Sequence, residues 1–195
     1  EKRDIMAEIA ATLAFSAIQN NDKIGMIFFS DKIEKFIPPK KGRKHILFII
    51  SQLLTFQPSS NGTDIAQVLR FFTDALKKRT TTFLISDFID DHDYSKAISV
   101  ASGKHDVIGI QVYDKRDSQM PDVGLIRVAD LETGYEQWVN TSSSSVRKSY
   151  NRWWYERQQK IVEMMLKNHI DFTSIATDED YVKALMSLFK NRGVK

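Results

Sequence analysis

The sequence predicts an α/β domain whose mostly parallel, doubly wound sheet is flanked by helices. Strand-length apolar runs alternate with helix-length amphipathic segments between Ile24 and Tyr113, which is how successive strand–helix–strand units read. The run at residues 24–29 is apolar throughout except for Gly25, as a strand covered on both faces is. Carboxylates stand where strands run out, at Asp31, Asp87 and Asp114, and the carboxyl ends of parallel strands line the ligand crevice of such sheets.

The elements follow in order. Ile5, Met6, Ile9, Ala10, Leu13, Ala14, Ala17 and Ile18 form a broad stripe of helical period, ended by Asn20-Asn21-Asp22. The strand at 24–29 is turned by Ser30-Asp31-Lys32. Ile33, Lys35 and Ile37 then alternate with Glu34 and Phe36 until Pro38-Pro39 stops the run, so a short edge strand hairpinned to its predecessor is expected. A basic loop, Lys40-Lys41-Gly42-Arg43-Lys44, leads into a helix at 45–54, and Asn61-Gly62-Thr63-Asp64 leads into another at 65–76. Strands at 81–85 and 107–113 enclose a helix around 94–101. Beyond them, segments 124–128 and 135–139 bracket Glu132-Thr133-Gly134 as a hairpin. A long helix at 146–167, a short strand near 172–175 and a closing helix at 180–190 complete the chain. One domain over residues 1–195 is expected, with the hairpin and long helix appended from about residue 120.

Composition narrows the function. With 28 basic and 25 acidic residues the net charge is only +3, so no dense cationic field points to nucleic acid. The absence of cysteine excludes disulfide and thiolate chemistry and suits a cytoplasmic location. No apolar run approaches the roughly 18 residues of a membrane span. The chain opens on Glu1-Lys2-Arg3-Asp4 directly before the first helix, without a signal peptide, and is expected to be part of a longer protein.

Asp87 ends the run Phe83-Leu84-Ile85, and Thr63 stands at the mouth of a helix. A carboxylate at a strand end and a hydroxyl from a neighbouring loop are oxygen ligands of the kind a small hard cation such as Mg2+ takes. The plainer account is a turn or helix cap at each position. Asp87 and Asp114 together would also suit a metal-dependent phosphoryl-transfer or hydrolytic enzyme. No glycine-rich phosphate loop, Gly-x-Ser-x-Gly elbow or His-Glu-x-x-His accompanies them, and no catalytic residue is assigned. His92 lies among Asp87, Asp90, Asp91 and Asp93, which reads as a solvated acidic turn. The pair Trp153-Trp154, among Arg147, Lys148, Arg152 and Arg157, has the makings of a base-stacking surface. Tyr150, Trp154, Ile161 and Met165 share one helical face, so core packing explains the stretch better.

Six collinear motifs carry a family resemblance. They are residues 7–14 (Ala-Glu-Ile-Ala-Ala-Thr-Leu-Ala), residues 21–31 from Asn21 to Asp31, Ile37-Pro38-Pro39-Lys40-Lys41-Gly42-Arg43, Gly62-Thr63-Asp64, Leu84-Ile85-Ser86-Asp87-Phe88 and Lys104-His105-Asp106-Val107, with Asp130-Leu131-Glu132-Thr133-Gly134 extending the series. The chain resembles the bacterial domain of unknown function family fifty-eight, of the von Willebrand factor A-like superfamily. The resemblance implies a helix-sandwiched sheet with a metal-ion-dependent adhesion site built from an Asp-x-Ser-x-Ser loop, a threonine and an aspartate. Thr63 and Asp87 match the second and third parts. No Asp-x-Ser-x-Ser occurs here; Asp93-Tyr94-Ser95-Lys96-Ala97 ends in alanine where the motif needs serine. The central strand that should precede the first helix is likewise expected to be missing from this chain. The implied role is non-enzymatic protein interaction, with a MoxR-type AAA+ ATPase and other von Willebrand factor A-like proteins as partners. Mg2+ is implied for the full-length protein, with weak or absent binding by this chain alone.

Overall fold

A computed structural model of the chain describes residues 2–129 and 136–193. Helix α1 (Lys2–Gln19) is followed by β1 (Ile24–Phe29), β2 (Ile33–Lys40), α2 (Arg43–Thr55), α3 (Ile65–Ala75) and β3 (Thr81–Ser86). Then come α4 (Ser95–Lys104), β4 (Asp106–Tyr113), the short α5 (Lys115–Ser118), β5 (Leu125–Ala129) and β6 (Glu136–Asn140). The long α6 (Ser144–Lys167), β7 (Asp171–Ala176) and α7 (Tyr181–Gly193) close the chain. The motif at residues 130–134, with the hairpin turn it contains, lies outside the described residues.

Strands β3, β4 and β7 form a parallel sheet in that order. Strand β4 is central and buried along its interior, consistent with its apolar run. One face of the sheet packs under α3, α4 and α6 through Leu84, Val107, Leu69, Ile98, Ile161 and Met165. The other packs under α1 and α7 through Ile110, Val112, Ile175, Ile9 and Leu185. Helices on both faces make the domain a doubly wound α/β fold.

The sheet is divided, as a chain expected to lack the central strand implies. Strands β1 and β2 pair antiparallel as a separate ribbon, and β3 has β4 as its one neighbour among the described residues. The ribbon nevertheless keeps the faces of the main sheet: Ile27 and Phe29 of β1 reach the α3 core, while Phe28 and Ile37 pack with Ile49 of α2. Helix α1 lies against β3 and β4 and also against α2, so it spans the break. One correction concerns Pro38 and Pro39, which do not stop β2. The strand runs to Lys40 because the prolines fall where the ladder shifts register, between the Met26–Ile37 and Ile24–Lys40 pairs, and a shifted ladder tolerates a missing donor. The predicted hairpin is present as antiparallel β5 and β6.

Candidate functional site

The C-terminal end of β1 holds the loop that carries Thr63. The Ser30 hydroxyl donates to Glu34 Oε1 at 2.8 Å, and the Ser30 carbonyl accepts from the Asp64 amide at 3.1 Å. Glu34 also takes the amide and hydroxyl of Ser59, at 2.9 and 2.8 Å, which pins the loop from its other side. Gly62 lies flat on Asp31, where an added Cβ would come within 3.1 Å of the aspartate Cβ, so the close approach depends on glycine. Thr63 is not the helix cap; Asp64 is, accepting from the Gln67 amide at 2.7 Å.

Asp87 stands one residue past the end of β3. Phe88 adopts a left-handed backbone (φ 57°), its amide donating to Ser86 Oγ at 3.0 Å while Ile89 donates to Asp87 Oδ1 at 3.1 Å. The phenyl ring drops into the core against Phe172 and the carboxylate is left on the rim. Fully buried Gln111 of β4 donates to the Asp87 carbonyl and accepts the Ser174 hydroxyl, tying the turn to the sheet interior. The second carboxylate oxygen of Asp87 accepts from Lys2 Nζ at 3.2 Å, and the same ammonium donates to Asp117 Oδ2 at 3.0 Å. Burial works against the charge of Lys2, but the hydrogen bond to Asp117 and the charges of Asp87 and Asp117 outweigh it and hold the ammonium above its ordinary pKa.

The loops of Thr63 and Asp87 are brought together by Asp90, which is buried. Its carboxylate accepts from the Ile65 amide at the start of α3, at 2.7 Å, and from the amide and ring Nδ1 of His92, each at 2.8 Å. Arg157 of α6 donates to the Asp90 carbonyl at 2.7 Å. Residues 90–93 are therefore not simply a solvated acidic turn: Asp90 fastens the β3 loop to α3. Asp64, Asp90 and His92 offer ligand atoms within 4.8 Å of one another, and caps and turns already account for the two aspartates. The hydrogen bond that His92 donates to Asp90, then the charge of that carboxylate, raises the His92 pKa. Lys2, Asp90, Asp117 and Glu34 complete the rim and were not singled out by sequence reasoning. The contacts that place them on the rim, Lys2 with Asp87 and Asp117, Asp90 with Ile65 and Glu34 with Ser59, span 25 residues or more and leave no local periodicity to read.

Asp114 does something else. It caps α5 in a capping box and accepts hydrogen bonds from the backbone amide, Nε and Nη2 of Arg116. The Arg116 side chain, then its backbone amide, lowers the Asp114 pKa to about 2. A cleft of about 450 Å³ beside it is lined by Tyr113, Lys115, Ser118, Gln119, Trp154, Gln158 and Ser174. The Ser174 hydroxyl is given to Gln111 and that of Ser118 to the Lys115 carbonyl, so neither serine there is paired with a base. Thr63 and Asp87 alone do not fit a divalent cation. Magnesium takes about six oxygens, and both oxygens of Asp87 already have partners, one of them an ammonium.

This architecture, with an oxygen-rich rim at the carboxyl ends of its strands, defines a doubly wound α/β domain. The chain belongs to the family described as "Protein of unknown function DUF58", whose model matches residues 1–160. It is 22% identical over 194 residues to the uncharacterized protein Rv1480 of Mycobacterium tuberculosis, covering 98% of this chain and 61% of that protein. An uncharacterized protein of Mycobacterium avium is 21% identical over 158 residues, covering 80% of this chain and 93% of its own. The chain thus spans about three fifths of the length of the first of these relatives. Among solved structures, BatB from Bacteroides thetaiotaomicron superposes with a TM-score of 0.57 at 14% identity, covering 97% of this chain and 89% of that one. An aerotolerance-related membrane protein from Bacteroides fragilis gives 0.57 at 16% identity, covering 95% and 88%. These likenesses bear on the fold. No helix among the described residues is long and apolar enough to cross a membrane.

Proposed function

We propose that the chain is a protein-interaction domain of the von Willebrand factor A type, not an enzyme, working in the cytoplasm with a MoxR-type AAA+ ATPase to assemble or activate other proteins. The break in the sheet carries the reading. Strands β1 and β3 each lack a neighbour on one side among the described residues, yet α1, α2 and α3 cover both faces across the gap. Helix α1 starts beside Asp87, at the carboxyl end of β3, so a strand parallel to β3 and ending near Lys2 would lead into it by the usual right-handed crossover. Such a strand would join the two sheets. Its following loop would emerge between Thr63 and Asp87, where an Asp-x-Ser-x-Ser loop belongs. In this reading Thr63 and Asp87 are two of three parts of an adhesion-type site, residues upstream supply the third, and an acidic side chain of the partner completes a Mg2+ shell.

The test uses the parent protein with its upstream residues and a MoxR-type AAA+ ATPase from the same organism. The two are expected to co-purify, and a chelator or Asp87→Ala should weaken the complex by about ten-fold or more, as loss of a charge-assisted contact does. Failure to co-purify, or binding indifferent to both perturbations, would sink the proposal. A phosphoryl-transfer role for Asp87 and Asp114 finds no support in the geometry, because Asp114 is held in its own cap by Arg116.

A further inference from the structure

We infer that Lys2 is an internal counter-cation: its ammonium fills the place at Asp87 that a divalent cation would need and closes the rim of this chain to metal. The inference rests on the reading of Asp87 as a metal ligand but concerns a residue that reading does not use. Lys2 Nζ lies 3.2 Å from Asp87 Oδ2 and 3.0 Å from Asp117 Oδ2. The three side chains are a quarter to a third exposed, dry enough for the ion pairs to be felt and wet enough to exchange.

Both carboxylates are positioned without help from Lys2. Asp87 is set by the Ile89 amide and, through its carbonyl, by Gln111. Asp117 is set by the Asp114 amide and, through its own carbonyl, by the Tyr150 hydroxyl at 2.8 Å. The ammonium therefore enters a preformed acidic notch between the ends of β3 and β4. A magnesium ion would sit about 2.1 Å from the Asp87 oxygen. Two cations bound to one carboxylate at such distances repel strongly, so they compete. Asp114 is neighbouring but already neutralised by Arg116, leaving Lys2 to balance two carboxylates.

Thermal unfolding of the 195-residue chain with and without MgCl2, together with calorimetric titration of Mg2+, tests this. The wild type and Lys2→Arg are expected to be indifferent to Mg2+. Lys2→Met should melt lower, recover its Tm on adding Mg2+, and bind the ion about ten-fold more tightly than the wild type. Adding Asp87→Asn to Lys2→Met should abolish that response. The inference is overturned if folded Lys2→Met ignores Mg2+, or if the wild type binds it as tightly. Should Lys2→Met not fold, Lys2→Gln serves in its place, and if that too fails to fold, refolding either variant in MgCl2 decides: rescue supports the inference and no rescue overturns it. Because the measurement is made on this chain without the ATPase, a failed co-purification and a failed Mg2+ response are distinguishable.

Discussion

At the scale of single residues, the site depends on side chains that turn the backbone as much as on those that face solvent. Phe88 in the left-handed region, unusual for a bulky residue, separates an inward ring from the outward Asp87 beside it. His105 is a buried group of a different kind. Its Nδ1 lies 3.1 Å from Thr80 Oγ1, its Nε2 is buried with no partner among the described residues, and its ring packs tilted against Phe72. Burial, followed by the charges of Lys104 and Arg79, lowers its pKa, so the fold holds it neutral. The unfolded chain takes up that proton at a higher pH than the folded one. Stability is therefore full above about pH 6.5 and falls as the pH drops through that value. His92 works in the opposite sense, since Asp90 raises its pKa and favours the fold as the histidine becomes charged. The comparison must therefore be with His105→Gln. Urea midpoints between about pH 7.5 and 5.5 should decline more steeply in the wild type than in this variant. Parallel profiles would mean His105 takes up its proton equally in the folded and unfolded chain, which would overturn this reading.

At the scale of elements, the sheet and α6 meet at a single missing side chain. Gly109 of β4 faces Phe172 of β7 and Met165 of α6, and a Cβ there would come within 2.7 Å of Phe172 Cδ2. Gly109→Ala is expected to destabilise the fold by about 1–3 kcal/mol, as overpacking does, read as a lower denaturant midpoint with an unchanged slope. An unaltered midpoint would show that the ring yields freely. Helix α6 was legible as a packed helix because Trp154, Ile161 and Met165 recur at its spacing, and all three are buried. The neighbouring Trp153 is nearly half exposed and carries the Arg157 guanidinium 5.5 Å from its ring centre, so its π-face is engaged within the domain. Proline removes a ladder donor and so predicts an earlier end to β2, while the register shift that accommodates it, three steps of β2 against two of β1, is visible only in the pairing.

At the scale of the whole molecule, the open edge of β3 is the feature with consequences. Exposed strand edges are normally paired or blunted, and here the side chains of Leu84 and Ser86 are buried while one side of the strand has no ladder among the described residues. Hydrogen exchange should therefore be slow along β4, and fast at the β3 amides that point away from it. In the parent protein, with its upstream residues present, those same amides should become protected. Slow exchange at all β3 amides in this chain would mean that something already pairs that edge.

Local pattern determined much of this protein: the order of its described elements apart from the short α5, the burial of β4, the face of α6 and the collinear motifs of its family. Each of these is written in neighbouring residues, because helix and strand periods repeat within a few positions. The tertiary structure alone decided that Asp90 joins the Thr63 and Asp87 loops and that Lys2 takes Asp87. The Asp90 and Lys2 contacts are meetings between distant segments, and a partner 85 residues away, as Lys2 is from Asp87, leaves no trace in the sequence around either residue.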